Sequence, residues 1–256
     1  MEMLLEPEGD VLAEHRASYL NRVLAVIFLI LPGLVCALAA TQVREGREIP
    51  AGLAVALIGL GALGFAQQNK SRVVVRADGV ERWGLRGKLW ARRWADLPEL
   101  RYRLLKVRVY HVIPAGTYYY LTFRDTAGKK RHLPGNLKAM DVLAERVVEH
   151  HTTAHFAAAR KRLDDGEEVR FGKAFRLDKD NISTRKLFGG YKPCPLEEIE
   201  RVTVDAGVLK VRRKNKTFAF ATAMVGAVPN VFLLLRLLDS LVSNRQPLTE
   251  RAASVA

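Results

Sequence analysis

VVVRADGVERWGLRGKLWARRWADLPELRY, residues 73–102, meets a second version of itself 102 positions later, FRLDKDNISTRKLFGGYKPCPLEEIERVTV, residues 175–204. No gap is needed. Val75 falls on Leu177, Val80 on Ile182, Leu85 on Leu187, Gly87 on Gly189, Leu97 on Ile199 and Leu100 on Val202. The turn residues agree as well: Asp78-Gly79 stands opposite Asp180-Asn181, and both pairs tolerate the positive φ of a tight hairpin. The stretch therefore reads as a strand meander used twice.

Each copy continues in the same way. KVRVYHVI and GTYYYLTF read as strands in the first half, with DTAGKKR as the next turn; GVLKVRR and TFAFATA flank KNK in the second. Each half then ends on a helix led by an asparagine, GNLKAMDVLAERVVEH from Asn136 and PNVFLLLRLLDSLV from Asn230. Asparagine is a good N-cap because its side-chain oxygen accepts an orphan backbone N–H. Leu137, Met140, Leu143 and Val147 share one helical face, the expected core side. EHHTTAHFAAARKRLDDG reads as a continuation of the first helix into a linker.

Ahead of the repeat lie two apolar runs without a charge, VLAVIFLILPGLVCALAA (23–40) and IPAGLAVALIGLGALGFA (49–66). At 1.5 Å per residue each reaches about 27 Å, close to the thickness of a bilayer's hydrocarbon core. They are expected to form a transmembrane helical hairpin, with the small residues Gly52, Ala56, Gly59, Gly61, Ala62, Gly64 and Ala66 on the second helix allowing close approach. Pro32 is expected to kink the first helix. Ala37-Leu38-Ala39 has the form of a signal cleavage site, but the acidic segment before it is opposite to the cationic start a signal needs.

Charge places the rest. The net charge is +14, and it is concentrated in the middle third: residues 67–161 hold twenty Lys/Arg against eight Asp/Glu. Lys70, Arg72, Arg76 and Arg82 follow the second apolar run, Arg16 and Arg22 precede the first, and the connection holds only Arg44 and Arg47. The positive-inside bias then predicts a multi-pass protein of the cell membrane with both termini cytoplasmic.

Within ERWGLRGKLWARRW (81–94) stand all three tryptophans. Trp94 aligns with Leu196 and is expected in the core; Trp83 aligns with Arg185 and Trp90 with Lys192, positions able to face outward. Arg82, Arg86, Lys88, Arg92 and Arg93, with Trp83 and Trp90, form the candidate binding site for anionic phospholipid headgroups. A cation near an anionic leaflet gains about 1 kcal/mol, and an aromatic ring suits the headgroup layer. The competing reading is a solvated charged face, with both tryptophans packed against protein.

Other features carry less. Lys129-Lys130-Arg131 and Arg212-Arg213-Lys214-Lys216 sit at hairpin tips. His151 and His155 have helical spacing for zinc, but no third ligand accompanies them. Two cysteines, Cys36 and Cys194, imply no disulfide framework. Phosphate-binding glycine loops and a nucleophile elbow are absent from the sequence, so no catalytic residue, metal or cofactor is expected.

The paired strands around Asp78-Gly79-Val80, GEEVRFGKAFRLDKDNI, LEEIERVTV and VPNVFLLLRLL, set after two apolar runs, resemble bacterial pleckstrin-homology-like membrane proteins with a two-helix anchor over residues 18–245. The resemblance implies an α+β protein: an N-terminal transmembrane helical hairpin, then two tandem pleckstrin-homology-like, partly open β-barrels, each closed by a C-terminal helix. It transfers no activity. The expected organisation is an N-terminal segment (1–18), a hairpin (19–66, helices about 20–41 and 49–66), a first repeat (67–149), a helical linker (150–165), a second repeat (166–244) and a tail (245–256). The expected function is a membrane-anchored binding or scaffold protein that engages anionic headgroups or another membrane protein. Nucleic-acid binding at the membrane, which rests on charge alone, and an enzyme in the domain cleft are the alternatives.

Overall fold

Strand β1 (Val11–Arg16) opens the fold, and its partner lies far along the chain. It pairs antiparallel with β2 (Arg72–Arg76), Arg16 facing Arg72 and His15 facing Val73. The computed structural model of the chain describes residues 6–18, 23, 26–42, 48–109, 113–135, 137–186 and 189–243. Asn136, Leu187 and the arginines Arg22, Arg44 and Arg47 lie outside the described residues. By packing, the chain divides into two units, Met1–Arg93 with Pro134–Leu143, and Trp94–Leu133 with Ala144–Ala256.

In the first unit β2 continues through β3 (Gly79–Gly84) to β4 (Gly87–Arg93), making a four-stranded antiparallel sheet in the order β1-β2-β3-β4. Val73, Val75 and Val80 are fully buried on it. Between β1 and β2 the chain makes a long apolar excursion and returns to its starting point, where the Ala17 N–H donates to the Ser71 carbonyl at 3.2 Å.

That excursion corrects the expected two-helix transmembrane hairpin. The first apolar run forms a π-helical stretch, Val26–Ile30, and then α1 (Leu31–Gln42) of 12 residues. Together they make one apolar helix over Ile27–Gln42, whose 16 residues reach about 24 Å, short of a hydrocarbon core of about 30 Å. Pro32 accounts for the change of winding: it has no N–H to give to the residue four before it, and the chain opens into wider π turns just ahead of the ring. Among the described residues one helix, Ala51–Lys70 within α2 (Glu48–Lys70), is long and apolar enough to cross a membrane. α1 and α2 pack antiparallel through glycines. A Cβ on Gly33 would meet Ile58 Cγ1 at 2.7 Å, and one on Gly61 would meet Ile30 Cγ1 at 2.7 Å.

The second unit starts with a 3₁₀ turn, Trp94–Asp96, and a three-stranded meander of β5 (Glu99–Val109), β6 (Ile113–Arg124) and β7 (Lys130–His132). Helix α3 runs unbroken from Met140 to Asp164, and Leu137, Met140, Leu143 and Val147 are all buried. A second four-stranded sheet then orders β11-β10-β9-β8, from β8 (Val169–Phe171), β9 (Phe175–Leu177), β10 (Asn181–Arg185) and β11 (Tyr191–Pro195). After the 3₁₀ turn Leu196–Glu198 come β12 (Ile199–Asp205), β13 (Val208–Arg213), β14 (Ala219–Met224) and helix α4 (Val231–Ser243). The order of elements thus recurs: four-stranded sheet, 3₁₀ turn, three-stranded sheet, helix.

Equivalent residues share roles. Val75 and Leu177, Val80 and Ile182, Trp94 and Leu196, and Leu97 and Ile199 are buried in each pair. Gly87 (φ 100°) and Gly189 (φ 91°) both take the left-handed region, which explains glycine at each position. The expected barrels are corrected, however. The strands form four separate sheets, of four, four, three and three strands, with few helices between them. Each 3₁₀ turn withdraws three residues from the hydrogen-bond ladder between a four-stranded and a three-stranded sheet, so neither ladder continues into the next.

The core of the second unit gathers Phe171, Phe175, Leu177, Ile182, Leu196, Leu209 and Leu234. Helix α4 contributes Val231, Leu234, Leu237, Leu238 and Leu241, one face at helical spacing. Asn230 stands at its start with φ 53°, and its carbonyl accepts the first intrahelical bond from Leu234. Its side chain does not cap the helix. Oδ1 accepts from the Leu100 N–H at 2.6 Å, Nδ2 donates to the Pro98 carbonyl at 2.7 Å, and the Asn230 N–H donates to the Leu100 carbonyl at 2.7 Å. Asn230→Ala is expected to lose about 2–3 kcal/mol, from two side-chain bonds at about 1 kcal/mol each plus the left-handed backbone. Urea unfolding measures this, and a loss under 0.5 kcal/mol would refute the clamp.

Candidate membrane-interface site

The excursion leaves and rejoins the first sheet at one foot, and cations crowd there. Arg16 and Arg72 are strand partners, and Arg72 is in turn the partner of Trp83 on β3. The Arg72 guanidinium lies 4.6 Å from the Trp83 ring centroid, and Lys88 Nζ lies 5.7 Å from it. Glu14 takes hydrogen bonds from both Arg16 (2.9 Å) and Arg72 (3.2 Å), so two cations share one carboxylate. With Lys70 closing α2, the foot has a partly exposed indole surrounded by positive charge at the end of the apolar helix. α2 also packs against β3, the strand that carries Trp83.

Trp83 is held in place from below. Its Nε1–H donates to Glu81 Oε2 at 3.0 Å, and Arg76 Nε donates to Glu81 Oε1 at 2.8 Å. Glu81 is only 3% exposed. A buried carboxylate that receives one charged and one neutral donor fixes the indole's rotamer, because the ring cannot turn without leaving that oxygen unpaired.

The other proposed site residues divide between two faces and two ends of the hairpin. Trp90 is 8% exposed and belongs to the core; its strand partner is Arg82, on the face opposite to Trp83. Burial lowers the Arg82 guanidinium below its ordinary value. The register slips between Arg82 and Trp83, which pair with Trp90 and Lys88 and leave Leu89 as the extra residue of a bulge. The bulge turns Lys88 toward Trp83 and leaves Leu89 exposed against Gly84, close to the hairpin turn that carries Arg86. Arg92 Nη1 donates to the Ala91 carbonyl at 2.6 Å.

A partner that the sequence reading missed lies across this hairpin. Residues Glu6 to Asp10 run along it as an acidic strap. Glu6 Oε2 accepts from Lys88 Nζ at 2.5 Å, and the Glu6 carbonyl accepts from Arg93 Nε at 3.1 Å. Arg93 also lies within 3.7 Å of Glu8 and 3.9 Å of Asp78. The strap's own backbone is tied down: the Glu8 and Gly9 N–H groups each donate to the Asp78 carboxylate at 2.8 Å, and Arg76 Nη1 donates to the Gly9 carbonyl at 2.9 Å. Desolvation raises the Asp78 carboxyl, but these backbone donors outweigh it and hold the group below the usual carboxylate range. Lys88 and Arg93 are therefore already partnered, while among the described residues Arg86 has no such ion pair or side-chain hydrogen bond. The acids of MEMLLEPEGD were the available signal, yet nothing local says which cations they meet.

The histidine pair does structural work. His151, in α3, is fully buried, and its Nε2–H donates to the Leu97 carbonyl at 2.7 Å. His155 Nε2 lies 2.9 Å from the Trp94 carbonyl and 3.1 Å from that of Leu97. Both rings serve the carbonyls of the turn around Trp94–Asp96, and the zinc reading has no support from their geometry.

A family model described as a family of unknown function (DUF6585) matches residues 5–247. No curated protein matches the chain.

Proposed function

The chain belongs to the DUF6585 family, and on that premise we propose that it is a membrane-seated binding protein whose apolar excursion sits in a bilayer and whose foot rests on anionic headgroups. The observation that carries this reading is the exposure of large apolar side chains along the described residues of the excursion. Val55 is 74% exposed, and Phe28, Val35, Leu38 and Leu60 are exposed too. At about 25 cal/mol per Å² of apolar surface, a contiguous face of this kind in water is strongly unfavourable and calls for cover. The foot favours lipid as that cover: Lys70, Arg72 and a partly exposed indole stand together at the end of the apolar helix, the chemistry a layer of phosphates and glycerol would meet.

The hydrogen bond between Ala17 and Ser71 restricts how this works. A segment whose two ends meet enters and leaves a bilayer by the same face, so β1 and β2 stay together on one side. Lys88 and Arg93 are already bridged to the strap and Arg72 to Glu14, so the headgroup contact falls to the Arg86–Leu89 tip, Lys70 and the partly exposed Trp83.

Tryptophan fluorescence of the full chain in anionic vesicles tests this. Trp90 and Trp94 are buried, so lipids brominated near the headgroup are expected to quench Trp83 and little else. Trp83→Phe should remove at least two-thirds of the quenching, and an alkaline carbonate wash should leave the protein with the vesicles. Release by carbonate, or equal quenching after Trp83→Phe, would refute the proposal.

A further inference from the structure

A second positive surface lies in the other unit, at the tip of the hairpin formed by β13 and β14. Lys192 from β11, Arg213, Asn215, Lys216, Thr217, Phe218 and Phe220 line an open concavity of about 360 Å³. Phe220 forms its floor, with Arg213 Cζ 5.4 Å and Lys192 Nζ 5.7 Å from the ring centroid. Glu198 lies 3.5 Å from Arg213 Nη1, the one carboxylate paired with these cations among the described residues. Asn215, at φ 57°, turns the chain so that Lys216 and Phe218 stand at the tip. Phe218 is 86% exposed, more than any other large apolar side chain described.

We infer that this tip is a second docking contact for an anionic bilayer, with Lys192, Arg213 and Lys216 receiving a phospholipid phosphate and Phe218 entering the glycerol layer. The inference rests on the membrane reading above but uses different residues in a different unit. Charge complementarity selects an anion, since three cations face the concavity and one acid offsets them. The exposed phenyl ring selects a bilayer. A benzyl group in water has no partner at this tip, whereas an interface offers apolar depth directly beneath a layer of phosphates. A single-stranded nucleic acid would instead be served by successive open aromatic platforms along a basic groove; here the Phe220 ring has Arg213 and Lys192 beside it, and Phe218 is the one largely exposed ring. Trp90, the residue equivalent to Lys192 in the first half, is buried, so this contact has no counterpart there.

The test places a reporter at the tip. In the full chain carrying Trp83→Phe, Phe218→Trp puts a tryptophan on an exposed position whose change leaves the core untouched. Anionic vesicles with brominated acyl chains are expected to quench the new residue at least threefold more than phosphatidylcholine vesicles do. Adding Lys192→Glu and Lys216→Glu is expected to bring the quenching down to the phosphatidylcholine level, since each cation near an anionic leaflet contributes about fivefold in partitioning. Equal quenching in both vesicle types would overturn the inference. So would an emission shift with inorganic phosphate or a single-stranded oligonucleotide but none with vesicles. Quenching of Trp83 in the parent chain without quenching at position 218 would sink this inference alone. Release of the parent chain by carbonate would sink the membrane reading instead.

Discussion

Acidifying the protein from pH 7 to pH 4 is expected to cost it on the order of 3 kcal/mol through His151 alone. In an unfolded chain an imidazole titrates near 6.5. Burial, and then the neighbouring His155, push His151 down to about 3 in the folded protein. Between those values the unfolded chain holds a proton that the folded one refuses. Stability from this group is therefore complete above about pH 6.5 and is lost as pH falls toward 3. The cause is geometric. The ring lies between Trp94, Phe123 and His155, with centroid distances of 6.5, 6.1 and 4.6 Å, where burial and a second imidazole oppose an imidazolium. His151→Gln is the informative variant, because a glutamine N–H can still donate to the Leu97 carbonyl but cannot titrate. Its unfolding free energy should vary less steeply with pH between 6.5 and 4, by close to one proton. Carboxylates such as Asp78 titrate in both proteins and cancel in the comparison. An unchanged slope would show that His151 is not the group responsible.

Glu81→Ala is expected to destabilise the first unit strongly, by about 3 kcal/mol. It removes the acceptor of Arg76 and of the Trp83 indole together, in a place where water does not replace it. Arg76 keeps its bond to the Gly9 carbonyl and some solvent, which holds the loss toward the lower end for a broken buried pair. Replacing both partners, Arg76→Met with Glu81→Leu, should recover most of that loss, since an apolar pair has no stranded charge. Urea unfolding in detergent measures both variants. A single variant that loses less than 1 kcal/mol, or a double variant no better than the single one, would count against the buried pair as the support of Trp83. The same variants bear on function: without Glu81 the indole is no longer oriented, and vesicle quenching of Trp83 should broaden and weaken.

The legible part of this protein was the part written in local pattern. The doubled meander was readable because a glycine at residues 87 and 189 answers a backbone demand that few other residues meet, and because apolar positions such as Val75 and Leu177, or Val80 and Ile182, are buried in both copies. Helix α4 was readable from its apolar face. Apolar run length predicted a helix at α2, which is long and apolar enough to cross a membrane, but it overstated the first run, where the described helix Ile27–Gln42 is shorter.

Contacts between distant segments were not legible. Nothing in VLAEHR announces a strand, since its partner lies across the whole apolar excursion. Nothing in the acids near Glu6 names Lys88 and Arg93 as their partners. The cations of residues 81–93 looked like one surface in sequence; strand alternation and a bulge at Leu89 divide them between two faces. The basic turn at Arg212–Lys216 was visible as charge, but its concavity needs Lys192 from another strand and two phenylalanines beyond the turn. Composition and periodicity determine which segments can pair and which must be covered, because those preferences act within a few residues. Which segments do meet is decided by packing across the chain, and in this protein the foot of the excursion and the strap over its cations exist only there.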